Sequence, residues 1–301
     1  MTLEPARSAR TIDRSTLIGI AALMVAMVSF QFGASLAKGM FPAVGAEGTT
    51  TLRQGFGALM LAIVMRPWRT PVTRVGLPAL LGYGVALGIM NLLFYMALAT
   101  VPLGVAVALE FVGPLIVAAF GLRRVTDALW LVLAVLGLVF LLPLRASTHA
   151  IDPAGAALAL AAGGCWALYI VFGQRAGRAF GTHAAAWGAI VAALVAAPAG
   201  IHQAGWGLLA PAILPSALAL AFLSNAMPYT LEIVALTRMP ARLYGTLTSL
   251  EPALGSLVGL VLLHEGLDLI QWLAIGAIVI ASIGTTLSIR PAAPIAPDAT
   301  P

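Results

Sequence analysis

The amino-acid sequence predicts an all-α membrane protein in which ten transmembrane helices form two inverted five-helix repeats around a central cavity. Of the 301 residues, 61% are hydrophobic and 9% are charged, and the mean hydropathy is +1.01. Soluble domains carry about 25% charged residues, so this chain is expected to be solvated by lipid. Ten spans of about 20 residues each occupy most of its length and leave no room for a separate soluble domain.

Apolar windows bounded by charged residues, proline or glycine predict the ten helices. In the first repeat (17–144) the windows are 17–38, 49–65, 77–99, 104–121 and 128–144, and in the second (154–290) they are 154–172, 184–200, 213–236, 243–263 and 269–289. Backbone amides find no water in hydrocarbon, so uninterrupted runs of this kind are expected to be helical. The remaining segments are a cytoplasmic N-terminal segment (1–16), a periplasmic connector (145–153) and a disordered cytoplasmic tail (291–301).

Basic residues predict the orientation, because arginine and lysine accumulate on the cytoplasmic side of a membrane. With both termini in the cytoplasm, 13 of the 16 basic residues fall in cytoplasmic segments. This scattered distribution encodes topology, so no nucleic-acid partner is expected. Arginines near the N-terminus resemble those of a signal peptide, but the apolar run that follows is too long for one and is interpreted as a retained helix.

An internal repeat appears when the chain is shifted along itself by 138 residues. Pro102 and Pro114 then fall on Pro240 and Pro252, with leucines and glycines matching around them. A repeat of five helices turns the second copy over in the membrane, a plan that many membrane transporters share. A polar site is then expected near the midplane, between the two halves.

Three glutamates inside predicted spans, Glu110, Glu232 and Glu251, are candidates for ligand binding or proton coupling. A charge at the centre of a membrane helix costs roughly 2.5 to 3.5 kcal/mol on insertion scales, so such residues usually face a cavity or a partner. Pro114 and Pro252 are candidate helix breaks or hinges, because proline frees a backbone carbonyl. The alternative is that the carboxyl groups bind nearby backbone N–H groups and serve packing alone.

Helical spacing gathers further candidates onto shared helix faces. The 138-residue shift places Leu87 and Asn91 on Asn225 and Tyr229, so the same faces recur in both halves. Such aromatic and amide side chains could equally hold helices together through hydrogen bonds. The residues expected to bind a ligand are Gln31, Tyr83, Asn91, Tyr95, Glu110, Trp166, Tyr169, Asn225, Tyr229 and Glu251.

Two basic residues near the predicted outer face receive structural interpretations. Lys38 is expected to extend toward the membrane interface, and Arg53 is expected to pair with Glu47, with a substrate carboxylate as its alternative partner. The histidines form no ligand pair, and the sequence holds no GxxxxGK[ST] or GxSxG motif. We therefore expect no metal, no cofactor and no enzymatic activity. The single cysteine, Cys165, excludes an intramolecular disulfide.

Several segments resemble the ten-helix, EamA-type exporters of the drug/metabolite transporter superfamily. These segments are GASLAK at 33–38, LFYMALATVPLG at 93–104, ALEFVGP at 108–114, ALTRMP at 235–240 and LEP at 250–252. The chain is most similar to the bacterial threonine/homoserine exporters, with the aromatic amino-acid exporters as near relatives. In the superfamily pattern Glu directly precedes Pro in both halves, whereas here Gly113 precedes Pro114. Symmetric roles for Glu110 and Glu251 are therefore not expected.

The resemblance implies export of small neutral amino acids across the bacterial inner membrane by alternating access, without a bound cofactor, by a monomer or a homodimer. A zwitterionic substrate would place its ammonium near Glu110 or Glu251 and its carboxylate near asparagine and tyrosine donors or a helix N-terminus. The alternative functions are a multidrug or other metabolite exporter and, from another class, a membrane enzyme or a non-transporting assembly protein.

Overall fold

The computed structural model describes residues 14–69, 73–119, 125–141, 151–239 and 241–288, and the regular structure within these ranges is entirely helical. The predicted disordered tail lies outside the described residues. Most of the N-terminal segment (1–13) and of the connector (145–150) lie outside them as well.

Twelve α-helices make up most of the described chain. The first half contains α1 (Arg14–Met65), α2 (Leu77–Leu98), α3 (Leu103–Glu110), α4 (Val112–Ala119) and α5 (Val125–Leu141). The second half contains α6 (Pro153–Phe180), α7 (His183–Ala204), α8 (Leu214–Ala221), α9 (Met227–Arg238), α10 (Ala241–Thr248), α11 (Glu251–Leu262) and α12 (Leu269–Ser288). A π-helical segment, Phe222–Ala226, joins α8 to α9, and short 3₁₀ turns follow α1 and α7.

The outer faces of these helices carry large apolar side chains. Val64 is 77% exposed, Leu269 is 74% exposed and Leu194 is 68% exposed. Four helical segments of the described chain are long and apolar enough, by length and composition, to cross a membrane: Arg14–Met65, Leu77–Leu98, Pro153–Phe180 and His183–Leu209. An apolar outer surface of this extent is suited to lipid rather than to water.

The first two predicted windows form one continuous helical run of 52 residues, α1, where the sequence predicts a loop between two helices. The run is interrupted only at Gly45, whose φ of 71° and ψ of 174° lie outside the helical region and are accessible mainly to glycine. The backbone N–H groups of Glu47 and Gly48, beyond the break, donate to Oε1 of Gln203 at 2.9 and 3.2 Å. The side chain of Gln203, from α7, therefore caps the second part of α1.

The predicted fourth and ninth helices are each divided into two at matching points. α3 ends at Glu110 and α10 ends at Thr248, positions 138 residues apart. Each lies four residues before a proline, Pro114 or Pro252. Proline has no backbone N–H, so it cannot make the helical hydrogen bond to the carbonyl four residues earlier. The prolines therefore explain both where the helices divide and why the two breaks correspond.

Small residues bring neighbouring helices close together, and all eight residues of α3 are buried. A Cβ at Gly84 would meet Val191, and one at Gly88 would meet the backbone of α7. Likewise, a Cβ at Gly163 in α6 would lie 2.6 Å from the carbonyl oxygen of Glu110. Small residues allow helix backbones to approach closely. This close packing matters in a membrane, because there the hydrophobic effect does not drive helices together.

Lys38 forms an ion pair rather than extending toward the membrane interface. Its Nζ lies 2.5 Å from Oε1 of Glu265 and donates to the carbonyl oxygen of Val101 at 3.3 Å. The other carboxylate oxygen of Glu265 accepts the N–H of Leu103 at 2.7 Å. The pair is partly buried, with side chains 20% and 16% exposed, and it ties α1 to the start of α3 and to the segment between α11 and α12.

Breaking this ion pair should destabilise the protein. Glu265→Gln keeps the shape of the side chain but leaves the Lys38 ammonium without its counter-charge, at an expected cost of about 1 to 3 kcal/mol. Thermal unfolding in detergent, followed for Glu265→Gln, Lys38→Met and the double variant, measures the coupling. The double variant should lose less than the sum of the single losses, and strictly additive losses would show that the pair contributes no stability.

Asp152 caps α6 and connects it to the turn after α2. Its Oδ2 accepts the hydroxyl of Thr100 at 2.8 Å and the N–H of Gly155 at 2.9 Å. The hydrogen bond from Thr100, followed by that from Gly155, lowers the pKa of Asp152 below its ordinary value. A carboxyl whose folded-state pKa is depressed stabilises the fold above its unfolded-state pKa of about 3.9, and this contribution disappears as the pH falls through the folded-state pKa.

Asp152→Ala should therefore lower the melting temperature at neutral pH, and its difference from wild type should shrink as the medium is acidified below about pH 4. Melting curves measured across this range, with Thr100→Val as a variant that removes only the hydroxyl donor, check the effect. A difference that is constant with pH would rule out the charged form of Asp152 as its cause.

Candidate functional site

A cavity of about 420 Å³ lies between the two halves of the described chain. Its walls come from α1, α2, α3, α4, α6, the π-helical segment, α9, α10 and α11. The volume is in the range of sites for small molecules. Apolar and aromatic side chains form most of the surface, and a few polar groups interrupt it.

Eight of the ten residues predicted to bind a ligand line this cavity. They are Gln31, Asn91, Tyr95, Glu110, Trp166, Tyr169, Tyr229 and Glu251. Glu232, considered for proton coupling, and Pro114 also line it. The structure therefore gathers around one space the polar residues that are conspicuous in the apolar sequence.

Tyr83 and Asn225, the other two predicted residues, lie behind the cavity surface. The ring of Tyr83 stacks on that of Tyr169, with centroids 4.9 Å apart. The side-chain nitrogen of Asn225 donates to the main-chain oxygen of Arg53 at 3.1 Å. Each of these two side chains contacts a residue that lines the cavity, Tyr169 or Arg53, but does not itself form part of the cavity surface. Pro252 is likewise buried in the first turn of α11, outside the lining.

Three carboxyl groups face the cavity from different helices. Glu110 is the last residue of α3 and is buried, Glu232 lies in α9, and Glu251 is the first residue of α11. All three residues line the same cavity. Carboxylates gathered in an apolar environment attract a cationic group. The cavity can therefore receive an ammonium.

Arg53 also lines the cavity, and its partners differ from the predicted one. The guanidinium donates from Nε to the hydroxyl of Ser224 at 2.7 Å, from Nη2 to the carbonyl of Ser224 at 3.1 Å and from Nη1 to Oδ1 of Asn91. Its carbon lies 5.2 Å from the centre of the Tyr95 ring, in a cation–π contact. The expected pairing with Glu47 was wrong. The position of Arg53 inside an apolar window favours the alternative stated from the sequence, contact with a substrate, over a pairing at the surface.

Aromatic rings shape the rest of the cavity. Phe111 meets Trp166 edge to face with centroids 5.7 Å apart, and Phe30 meets Tyr229 in the same way at 6.0 Å. Paired rings of this kind are rigid and present apolar faces. The cavity therefore combines an aromatic surface with a cation, Arg53, and several carboxyl groups, an arrangement that can hold a small molecule carrying both charges.

Comparison with known proteins identifies relatives that are named as transporters or exporters. The profile of the EamA-like transporter family matches residues 153–287. A protein of Escherichia coli (strain K12) named threonine/homoserine exporter RhtA is 53% identical over 271 residues, which cover 90% of this chain and 92% of that protein. The protein of the same name from Salmonella typhimurium (strain SL1344) is 54% identical with the same coverage. One crystal structure superposes with a TM-score of 0.59 at 21% identity, over 92% of this chain and 97% of that one, a likeness of fold alone.

The contact between α1 and the π-helical segment leaves no space behind the site. A Cβ at Gly33 would lie 2.6 Å from Cβ of Ser224, the residue that holds Arg53, whereas a Cβ at Gly39 would meet nothing within 4 Å. Gly33→Ala should therefore cost about 1 to 3 kcal/mol through overpacking. The control Gly39→Ala, in the same helix, should be neutral or stabilising by up to about 1 kcal/mol. Thermal unfolding in detergent compares them, and equal melting temperatures for the two variants would contradict the tight contact.

Proposed function

This chain belongs to the EamA-like transporter family of the drug/metabolite transporter superfamily, and we propose that it exports small neutral amino acids such as threonine and homoserine. The resemblance found in its sequence segments is confirmed by the family and its relatives. The chain is a multi-pass protein of the bacterial inner membrane, and its relatives are transporters rather than enzymes.

The observation that carries the proposal is a largely apolar cavity in which Arg53 and three carboxyl groups, Glu110, Glu232 and Glu251, surround one space. An amino acid at neutral pH has no net charge but carries an ammonium and a carboxylate. Such a molecule can approach charges of both signs without bringing a net charge into the membrane interior. The names of the relatives specify which amino acids to test first.

The substrate's ammonium would bind at Glu110 or Glu251. Both lie at helix breaks, where Glu110 ends α3 and Glu251 begins α11. Glu110, Glu232 and Glu251 are also the candidates for exchanging a proton during transport. Gln31 supplies a hydrogen bond for the rest of the substrate, while Asn91 and Tyr95 hold Arg53 at the cavity surface. Trp166, Tyr169 and Tyr229 form the apolar surroundings of the substrate.

We extend the proposal to the architecture: ten spans as two inverted repeats, 17–144 and 154–290, with both termini in the cytoplasm. The matching helix breaks at Glu110 and Thr248 support the repeat. Exposed arginines lie at helix ends that the sequence assigns to the cytoplasm, which supports the orientation. Arg66 and Arg74 lie between α1 and α2, and Arg238 ends α9. Rocking of one repeat against the other, in a monomer or a homodimer, would then expose the cavity to each side in turn.

A second candidate is a broader exporter that also carries larger neutral or aromatic compounds. It is favoured by the aromatic surface and by the volume of the cavity, which corresponds to on the order of a dozen water molecules. A single threonine leaves part of such a space to water. Competition by a panel of amino acids and organic cations separates the two functions, because only the broader exporter is inhibited by cations that lack a carboxylate.

The proposed function is tested with purified protein in liposomes and radiolabelled threonine, with and without a pH gradient. Glu251→Gln or Glu110→Gln, whichever removes the carboxylate that binds the ammonium, should reduce threonine uptake about tenfold or more, because a charge-assisted hydrogen bond contributes about 1.5 to 3 kcal/mol. Glu47→Gln, at a residue outside the cavity lining, is the matched control and should transport normally. Wild-type liposomes that accumulate neither threonine nor homoserine above protein-free liposomes would exclude the proposed substrates.

A further inference from the structure

We infer that Arg53 binds the α-carboxylate of the transported amino acid, so that the cavity selects molecules carrying both a free carboxylate and an ammonium. This inference rests on the proposed function and specifies its substrate class. It assigns the substrate carboxylate to Arg53, which the sequence offers only as the alternative to a pairing with Glu47, beside asparagine and tyrosine donors or a helix N-terminus.

The first step is the charge of Arg53, which is buried in the structure without an acidic partner in contact. Arg53 is only 5% exposed. Within the described ranges the sole ion pair joins Lys38 to Glu265, and the recorded acceptors of Arg53, Ser224 and Asn91, are neutral. A buried charge held only by neutral partners is costly. An anion that enters the cavity would supply the missing counter-charge.

The second step is the number of donors that remain. A guanidinium has five N–H bonds, always in the protonated form. Ser224 accepts one from Nε and one from Nη2, and Asn91 accepts one from Nη1. Two N–H bonds remain, one on each terminal nitrogen, without a partner among the described residues. A carboxylate accepts two N–H bonds from such a pair of nitrogens in parallel, which gives both strength and orientation.

The third step is that the neighbouring donors are committed to Arg53 or to the backbone. Asn91 turns its oxygen to Arg53, and its nitrogen donates to the carbonyl of Leu87 at 2.8 Å. Asn225 donates to the main-chain oxygen of Arg53, and the ring of Tyr95 packs against the guanidinium. These three residues hold Arg53 in place and are positioning residues. The carboxylate is therefore left to the guanidinium itself.

The fourth step is that the cavity also contains a carboxyl group, so that it can match both charges of a zwitterion. Arg53 and Glu110 both line the same cavity. A zwitterion can offer its carboxylate to Arg53 and its ammonium to Glu110, which compensates both charges at once. An amine without a carboxylate leaves Arg53 uncompensated, and a carboxylate without an ammonium adds negative charge beside the glutamates. Neither kind of analogue satisfies the whole cavity.

The test uses the full-length protein in liposomes and competition against radiolabelled threonine uptake. Unlabelled threonine should compete at least tenfold better than threonine amide, threoninol or β-hydroxybutyrate, each of which lacks one charge of the zwitterion. Arg53→Gln should raise the concentration of threonine needed for half-maximal competition by at least tenfold, while that of threonine amide changes little. Arg53→Lys should recover part of the loss, since it restores the charge but not the paired geometry.

Two controls separate this role from a structural one. Arg175→Gln, at an exposed position of α6 outside the cavity lining, should behave as wild type. An Arg53→Gln variant that weakens threonine and threonine amide equally would assign Arg53 to structure alone and overturn the inference. If the variant does not fold, the wild-type analogue series still decides. Equal competition by threonine and its amide refutes the inference while leaving amino-acid export intact, whereas absence of threonine and homoserine transport refutes the proposed function.

Discussion

The arrangement around the cavity depends on keeping one guanidinium buried among helices that face lipid. Arg53 lies in α1, and its donors reach Asn91 in α2 and Ser224 in the π-helical segment, so a single side chain ties three parts of the chain together. Since a buried, unsatisfied donor or charge is expensive, these partners restrict how the three elements can move apart. The same restriction places the positive charge at the cavity surface.

The π-helical segment makes this possible through its backbone. In a regular α-helix every interior carbonyl is already engaged within the helix, whereas a π-turn disturbs that pattern and is often found at functional sites. Here the carbonyls of Leu223 and Ser224 accept hydrogen bonds from Ser29 and Arg53, two side chains of α1. Irregular backbone is tolerated at membrane depth only where protein or a cavity surrounds it, and both conditions hold in this structure.

Two of the carboxylates that oppose the charge of Arg53, those of Glu110 and Glu251, lie beside the two proline breaks but at non-equivalent positions. Each proline lacks the N–H that a continuous helix would donate to the carbonyl four residues earlier, and so α3 ends at Glu110 and α10 at Thr248. Yet the carboxylates stand on opposite sides of their breaks, because Glu110 precedes the first one and Glu251 follows the second. Both carboxylates therefore reach the same cavity from non-equivalent positions.

The sequence by itself determined that the chain is helical and apolar and which carboxyl and aromatic residues stand out, because composition and charge inside apolar windows are local properties. Eight of the ten predicted ligand residues line the cavity for this reason. Only the tertiary structure decided the partners of Arg53, 38 and 171 residues away, and of Lys38, 227 residues away, since no local pattern encodes such distant contacts. It also placed Tyr83 and Asn225 behind the surface, because helical periodicity defines a face of a helix but not the neighbour that covers it.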